Sequence, residues 1–210
     1  MIADPNPIRI LAVDDHPALR DGIAAIVETQ PDMVLVGEAA NGLQAIEAFR
    51  NLRPDVTLMD FQMPEMGGLE AIKAIRQDWP DARIIVLTTY SGDVQAVRAL
   101  KAGAAGYLLK TSLRKDLLHC IRAVHAGQRH LPADVALDIA IHVASDSLSE
   151  REIEILLCVA DGNANKVIAR RLSISEATVK AHLKSIFSKL DVADRTHAVT
   201  VAVRRGIIEL

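Results

Sequence analysis

The sequence predicts an α/β doubly wound (βα)5 domain on a five-stranded parallel sheet, followed by a small all-α domain. Three observations carry that prediction. Short apolar runs alternate with helix-period segments through the first 126 residues, helical patterns alone follow residue 148, and the charge changes sign between the two parts.

IRILAV (8–13), MVLVG (33–37), DVTLM (55–59), RIIVL (83–87) and GYLL (106–109) are short runs bounded by Asp, Asn, Gly or Pro, the pattern of buried strands. Residues 19–27, 43–49, 69–75, 94–100 and 113–124 space their apolar side chains near i, i+3, i+4 and i+7, so a helix follows each strand. Five βα units imply a parallel sheet covered on both faces. Residues 127–147 hold a Gly, a Pro and an amphipathic run at 135–143, which reads as a partly helical linker. Ser149 with Glu152 three residues on is a capping-box signature ahead of Ile153, Leu156, Leu157 and Ala160, and that helix stops at Asp161-Gly162. A second helix is expected over 166–172, a turn at LSIS (172–175), a third helix capped by Ser175 and running to Leu190, and a last one over 196–205. The expected organisation is a domain at 1–126, a linker at 127–147 and a domain at 148–210.

With 210 residues, half of them hydrophobic and no low-complexity stretch, the chain can order two small cores. No apolar run approaches a membrane span, and the start MIADPNPIRI lacks a basic segment leading into a long apolar one. A cytoplasmic protein with no membrane partner is expected. Cys120 and Cys158 stand far apart, and no HxxxH or HExxH occurs, which argues against a disulfide framework or a zinc site. One Trp, two Tyr and three Phe are too few for stacking on single-stranded nucleic acid. A net charge of −3 argues against duplex DNA as well, but only as an average. Residues 1–148 carry 14 Lys and Arg against 19 Asp and Glu, a net of −5, whereas 149–210 carry 10 against 8, a net of +2. A basic C-terminal part on an acidic body points to two partners.

Doubly wound sheets bind ligands at the carboxyl ends of their strands, where the strand order reverses. Asp14 and Asp15 follow the first run, Asp60 ends the third, Thr88 and Thr89 the fourth, and Lys110 the fifth. If the first and third strands are neighbours, three carboxylates converge, which requires a cation among them or a shared proton. Few hard oxygen ligands favour Mg²⁺, while Lys110 and Thr88 are suited to phosphoryl oxygens. Taken singly, Asp14 or Asp15 would as readily cap the helix beginning near residue 18.

VDDHP (13–17), DFQMP (60–64), LTT (87–89) and GYLLK (106–110) together resemble the receiver domain of two-component response regulators. The resemblance implies that Asp60 is the phospho-acceptor and that Asp14, Asp15, Asp60 and the main-chain carbonyl of Gln62 bind Mg²⁺. It implies that Lys110 pairs with the phosphoryl group, that Thr88 moves to bond it, and that Tyr107 then turns inward. A sensor histidine kinase is the implied donor, and the only implied enzymatic activity is self-phosphorylation and slow autodephosphorylation at Asp60. Relatives often have Pro where this chain has Thr111, so no cis bond is carried over. A phosphotransferase with an aspartyl-phosphate intermediate needs similar groups, but wants a general acid two residues past its nucleophile, where this chain has Gln62.

In the third helix of the C-terminal part, Val179, Leu183, Ile186, Phe187 and Leu190 form one buried stripe. Ala181, Lys184, Ser185 and Ser188 point away from it, with Lys180 on the flank. Small residues admit close approach to a major groove and lysines reach phosphates or guanine edges, so the pattern describes a helix-turn-helix. LSEREIEIL (148–156), GNANKVIARRLSISEATVKAHLKSIFSKLDV (162–192) and DRTHAV (194–199) resemble the LuxR-type helix-turn-helix, and joined to a receiver they resemble the NarL/FixJ family of response regulators. That resemblance implies that Lys180, Ala181 and Lys184 read or approach bases and that Lys166, Thr178, His182 and Arg195 lie near the DNA backbone. It implies a homodimer on a two-fold related site, with Val199 and Val203 at the seam; extension of the core is the alternative for these two valines. Relatives often have an acidic residue where this chain has Val167. The function implied is a transcription factor controlled by Mg²⁺-dependent phosphorylation of Asp60, the alternative being a DNA-binding regulator insensitive to phosphorylation.

Overall fold

The computed structural model describes residues 6–89, 93–142 and 148–208. They divide into two units, one formed by the chain up to Thr89 with Ala96–Ala133, the other chiefly from Asp134 onward.

The first unit alternates β1 (Ile8–Val13), α1 (Pro17–Glu28), β2 (Met33–Ala39), α2 (Gly42–Leu52), β3 (Val56–Asp60), α3 (Gly68–Asp78), β4 (Ile84–Thr88), α4 (Asp93–Lys101), β5 (Gly106–Leu109) and, after a 3-10 turn at Lys110–Ser112, α5 (Leu113–His125). All strand pairs are parallel, in the order β2-β1-β3-β4-β5. Every residue of β3 and β4 is buried, as expected of central strands with helices on both faces. Ile10, Leu58, Ile85, Leu87 and Leu108 are fully buried, each contributing about 1.5–3 kcal/mol from apolar surface removed from water.

Register places the site. Val13 lies opposite Met59 and Thr88 opposite Leu109, so the residues that end β1, β3, β4 and β5 emerge side by side. The first and third strands are neighbours, and the strand order reverses between them, as the convergence of carboxylates requires.

In the second unit the chain continues through α6 (Ala133–His142), α7 (Glu150–Ala160), α8 (Asn165–Arg171), α9 (Glu176–Leu190) and α10 (Arg195–Arg204). Local chemistry fixes these boundaries. Ser149 and Glu152 form a capping box, Ser175 accepts from the Thr178 amide, Asp194 accepts from the His197 amide, and Asp191 closes α9 in the left-handed region at φ 53°. Ile155, Leu156, Ile168, Val179, Ile186, Ala198 and Ala202 form the core of α7–α10. Helix α6 covers most of the amphipathic run expected at 135–143; Val143 and the linker to residue 147 lie outside the described residues. No helix among the described residues is long and apolar enough to cross a membrane.

Candidate functional site

At the carboxyl edge of the sheet, Lys110 Nζ lies 2.8 Å from Asp14 Oδ2 and 2.9 Å from Asp60 Oδ2. Both carboxylates are buried, and the ammonium reaches them because β5 ends one residue before it. Burial, reinforced by the Asp14 charge, pushes the Asp60 carboxyl up to about 6 against the opposing pull of Lys110. Burial alone would depress the Lys110 ammonium, but its bonds to Asp14 and Asp60 raise it.

Asp14 does not cap α1. Its Oδ1 accepts from the His16 amide at 2.9 Å, and the residue before α1 is His16, whose side chain makes no cap bond. The His16 Nδ1 stands 2.7 Å from Asp15 Oδ1 and 3.3 Å from Asp14 Oδ1. Ligand-capable atoms of Asp14, Asp15, His16 and Asp60 all fall within 4.8 Å of one another. Asp14 Oδ2 and Asp15 Oδ1 are buried, the first met by the Lys110 ammonium and the second by the His16 ring nitrogen, and neither takes a well-aligned hydrogen bond. Buried carboxylate oxygens left in that state fit a hard divalent cation such as Mg²⁺.

The loop after Asp60 is held from two sides. The Gln62 amide approaches Asp60 Oδ1 at 3.4 Å, and the Gly68 amide donates to the Phe61 carbonyl at 3.0 Å. Gly68 packs so close to the Asp60 carbonyl that a side chain there would displace the acceptor strand.

Thr88 is buried and hydrogen-bonded with the Tyr107 hydroxyl. Tyr107 is fully buried, and burial pushes its phenol up to about 12. The ring is held inside by core packing and by the Thr88 hydroxyl. The Lys110–Thr111 peptide is trans, since cis bonds are absent among the described residues.

One residue of this region is not legible in the sequence. Arg20 on α1 donates to the Asp14 carbonyl at 2.7 Å and pairs with Glu38 of β2 at 2.8 Å, tying the β1–α1 loop to a neighbouring strand. No spacing signals it, because the contact depends on α1 folding back over the loop.

In the second unit the predicted stripe is inside: Val179, Leu183, Ile186 and Leu190 are buried and Phe187 half-buried. Lys180, Ala181, Lys184 and Ser188 are exposed on α9, Thr178 and His182 half-buried, and Lys166 exposed on α8. Lys180 pairs loosely with Glu176 at 3.5 Å, and Arg195 donates to the Asn163 carbonyl at 2.8 Å. Val199 and Val203 are half-buried against the core of their unit.

Ser185 corrects the helical-wheel reading. It is not outward but half-buried, giving its hydroxyl to Glu152 Oε1 at 2.7 Å. Lys189 meets Glu152 Oε2 at 2.9 Å, and the Ser149 amide donates to the same oxygen at 2.7 Å. Burial would raise the Glu152 carboxyl, but these bonds outweigh it and hold the group at about 2. A capping residue of α7 is therefore also the clasp that fixes α9.

Comparison with known proteins meets both units. Residues 10–122 match the response regulator receiver domain, and residues 146–202 match the bacterial regulatory proteins of the luxR family. The chain belongs to the NarL/FixJ, LuxR-type response regulators. This response regulator is 41 % identical over 209 residues to the transcriptional regulatory protein LiaR of Bacillus subtilis, covering 96 % of this chain and 99 % of that protein. It is 38 % identical to the response regulator protein VraR of Staphylococcus saprophyticus, covering 97 % and 100 %. Among solved structures, RcsB of Salmonella enterica serovar Typhimurium, bound to a promoter with the phosphomimetic BeF3⁻, is similar with TM-score 0.74 and 28 % identity over 93 % of this chain and 98 % of that one. The response regulator ChrA of a heme-sensing two-component system is similar with TM-score 0.57 and 36 % identity over 97 % and 100 %.

Proposed function

We propose that this response regulator is a cytoplasmic transcription factor whose affinity for duplex DNA is set by phosphorylation of Asp60 by a sensor histidine kinase. Residues 1–126 form the phospho-acceptor domain, 127–147 a linker and 148–210 the DNA-binding domain. The observation that carries the reading is Lys110 bridging Asp14 and Asp60 at the strand ends.

Asp14, Asp15, Asp60 and the Gln62 carbonyl hold Mg²⁺, which when bound offsets the charge of an incoming phosphoryl group. Asp60 is the nucleophile: its oxygen forms a bond to phosphorus as the donor's phosphorus–nitrogen bond breaks. Lys110 is already seated against Asp60 and needs only a small shift to pair with phosphoryl oxygens. The Thr88 hydroxyl is the second donor. Turning it to the phosphoryl group takes it from Tyr107, so the event at Asp60 reaches β5 through one hydrogen bond. Self-phosphorylation from a small phosphodonor and slow autodephosphorylation at Asp60 belong to the same site.

The DNA-binding face is α9, with Lys180, Ala181 and Lys184 at base edges and Lys166, Thr178, His182 and Arg195 at the backbone. The similarity to RcsB solved bound to a promoter supports duplex DNA as the partner. Val199 and Val203 contribute the exposed part of their side chains to a homodimer seam on a two-fold related site.

The test is Mg²⁺-dependent labelling by a small phosphodonor. Asp60→Asn is expected to abolish it; undiminished labelling of that variant would remove Asp60 from the role.

A further inference from the structure

Four cationic side chains of the first unit take no part in the function above. Lys73 and Arg76 of α3 and Arg98 and Lys101 of α4 line one cleft of about 540 Å³, with Gln77 and the loop at Gly103, and among the described residues no carboxylate lines it. Three other cations of this unit hold carboxylates: Lys110 with Asp14 and Asp60, Arg20 with Glu38, Arg122 with Asp32. Lys73, Arg98 and Lys101 make no hydrogen bond or ion pair with any described residue.

Arg76 is seated. Its Nη1 donates to the Ala82 carbonyl at 3.1 Å, and its Nε rests against Gly103, where an added Cβ would come within 2.7 Å. Gly103 also has φ +101°, so glycine is required there twice over and the backbone approaches the guanidinium closely.

Helix ends explain part of the charge. Arg76 stands in the last turn of α3, and Arg98 and Lys101 in the last turn of α4. Each helix C-terminus carries about half a negative charge, so two of them offset about one cation of the four. A surplus of about three positive charges is left in one cleft. The cleft is open, which suits an extended anion held by charge rather than an enclosed apolar ligand. Among the described residues no aromatic ring lines the cleft to stack a base, which favours a compact, multiply charged anion.

We propose that the α3–α4 cleft binds a polyphosphate chain, either free or as the tail of a nucleotide. Arg76 supplies a fixed fork of donors and the other three cations supply charge.

The test is calorimetric titration of the full chain, without divalent metal, with inorganic tripolyphosphate and with ATP at about 0.15 M ionic strength, where charges beyond about 8 Å are screened. One saturable site is expected. The exposed-site variant Lys73→Ala/Arg98→Ala/Lys101→Ala is expected to weaken it at least about tenfold, and Lys73→Gln alone about threefold, with Lys110→Ala and Lys180→Ala/Lys184→Ala unchanged. Equal affinity for the two probes assigns a free chain, and tighter ATP a nucleotide. Binding that survives the triple variant, or is lost in either control variant, overturns the proposal. So does binding of a poly-glutamate peptide in place of both probes, which would mark an acidic protein segment as the occupant.

Discussion

Lys110 Nζ stands 2.9 Å from Asp60 Oδ2, the side chain that follows β5 reaching the one that ends β3. The ammonium thus marks the side of the carboxylate from which negative charge is tolerated. It also explains how Asp14 and Asp60, both buried, share one neighbourhood: a single cation serves two carboxylates, while burial still pushes Asp60 up to about 6.

Arg20 holds the loop that carries this pair. Because it fixes the Asp14 carbonyl and is itself fixed by Glu38, Arg20→Met frees the loop without altering Asp14, Asp15 or Asp60. Mg²⁺ affinity measured by calorimetry is expected to fall about tenfold, in line with the loss of an outer-shell partner. Glu38→Gln, which leaves the carbonyl bond possible, is expected to fall less; equal affinity in all three proteins would show that Arg20 positions nothing.

Glu152 gives the pH dependence of the second unit. Its carboxyl lies at about 2 in the fold against an ordinary 4.5, so the stability it contributes is present above 4.5 and is lost as pH falls toward 2. Glu152→Gln cannot ionise and keeps only part of the bonding to Ser185 and Lys189. At neutral pH it is expected to cost roughly 1–3 kcal/mol in chemical denaturation. The decisive readout is slope: the variant's stability between pH 4.5 and 2 should change less than the wild type's, and parallel curves would contradict the assignment.

Strands β1 and β5 fall at 8–13 and 106–109 as read, while β3 and β4 are offset by one residue, because buried central strands are apolar throughout and lack alternation to fix their ends. The Ser149–Glu152 box is local and was legible. The second role of Glu152 joins residues 33 and 37 positions apart, and a helical wheel of α9 alone turned Ser185 toward solvent because serine carries no apolar signal. The acidic cluster was legible because topology dictates where strand ends meet; Arg20 was not, because nothing in topology dictates where a long side chain folds back. The charge of −3 misled only as an average over two units.

Lys184 tests the DNA-binding face. It is exposed on α9 beside Ala181, with no ion pair among the described residues. Lys184→Ala is expected to cost about 1–3 kcal/mol on a specific duplex and less on random sequence. Lys166→Ala should weaken both alike and reduce the salt slope by about one. Equal losses for Lys184→Ala on both duplexes would make it a backbone contact.

Phosphorylation at Asp60 is expected to be coupled to DNA affinity. The most direct measurement is a titration of operator duplex at fixed salt with wild type and Asp60→Asn, each with and without a small phosphodonor and Mg²⁺. Phosphodonor is expected to tighten binding by the wild type and leave Asp60→Asn unchanged. Wild-type affinity that ignores the phosphodonor while Asp60 is labelled would contradict the account and leave a DNA-binding protein insensitive to phosphorylation.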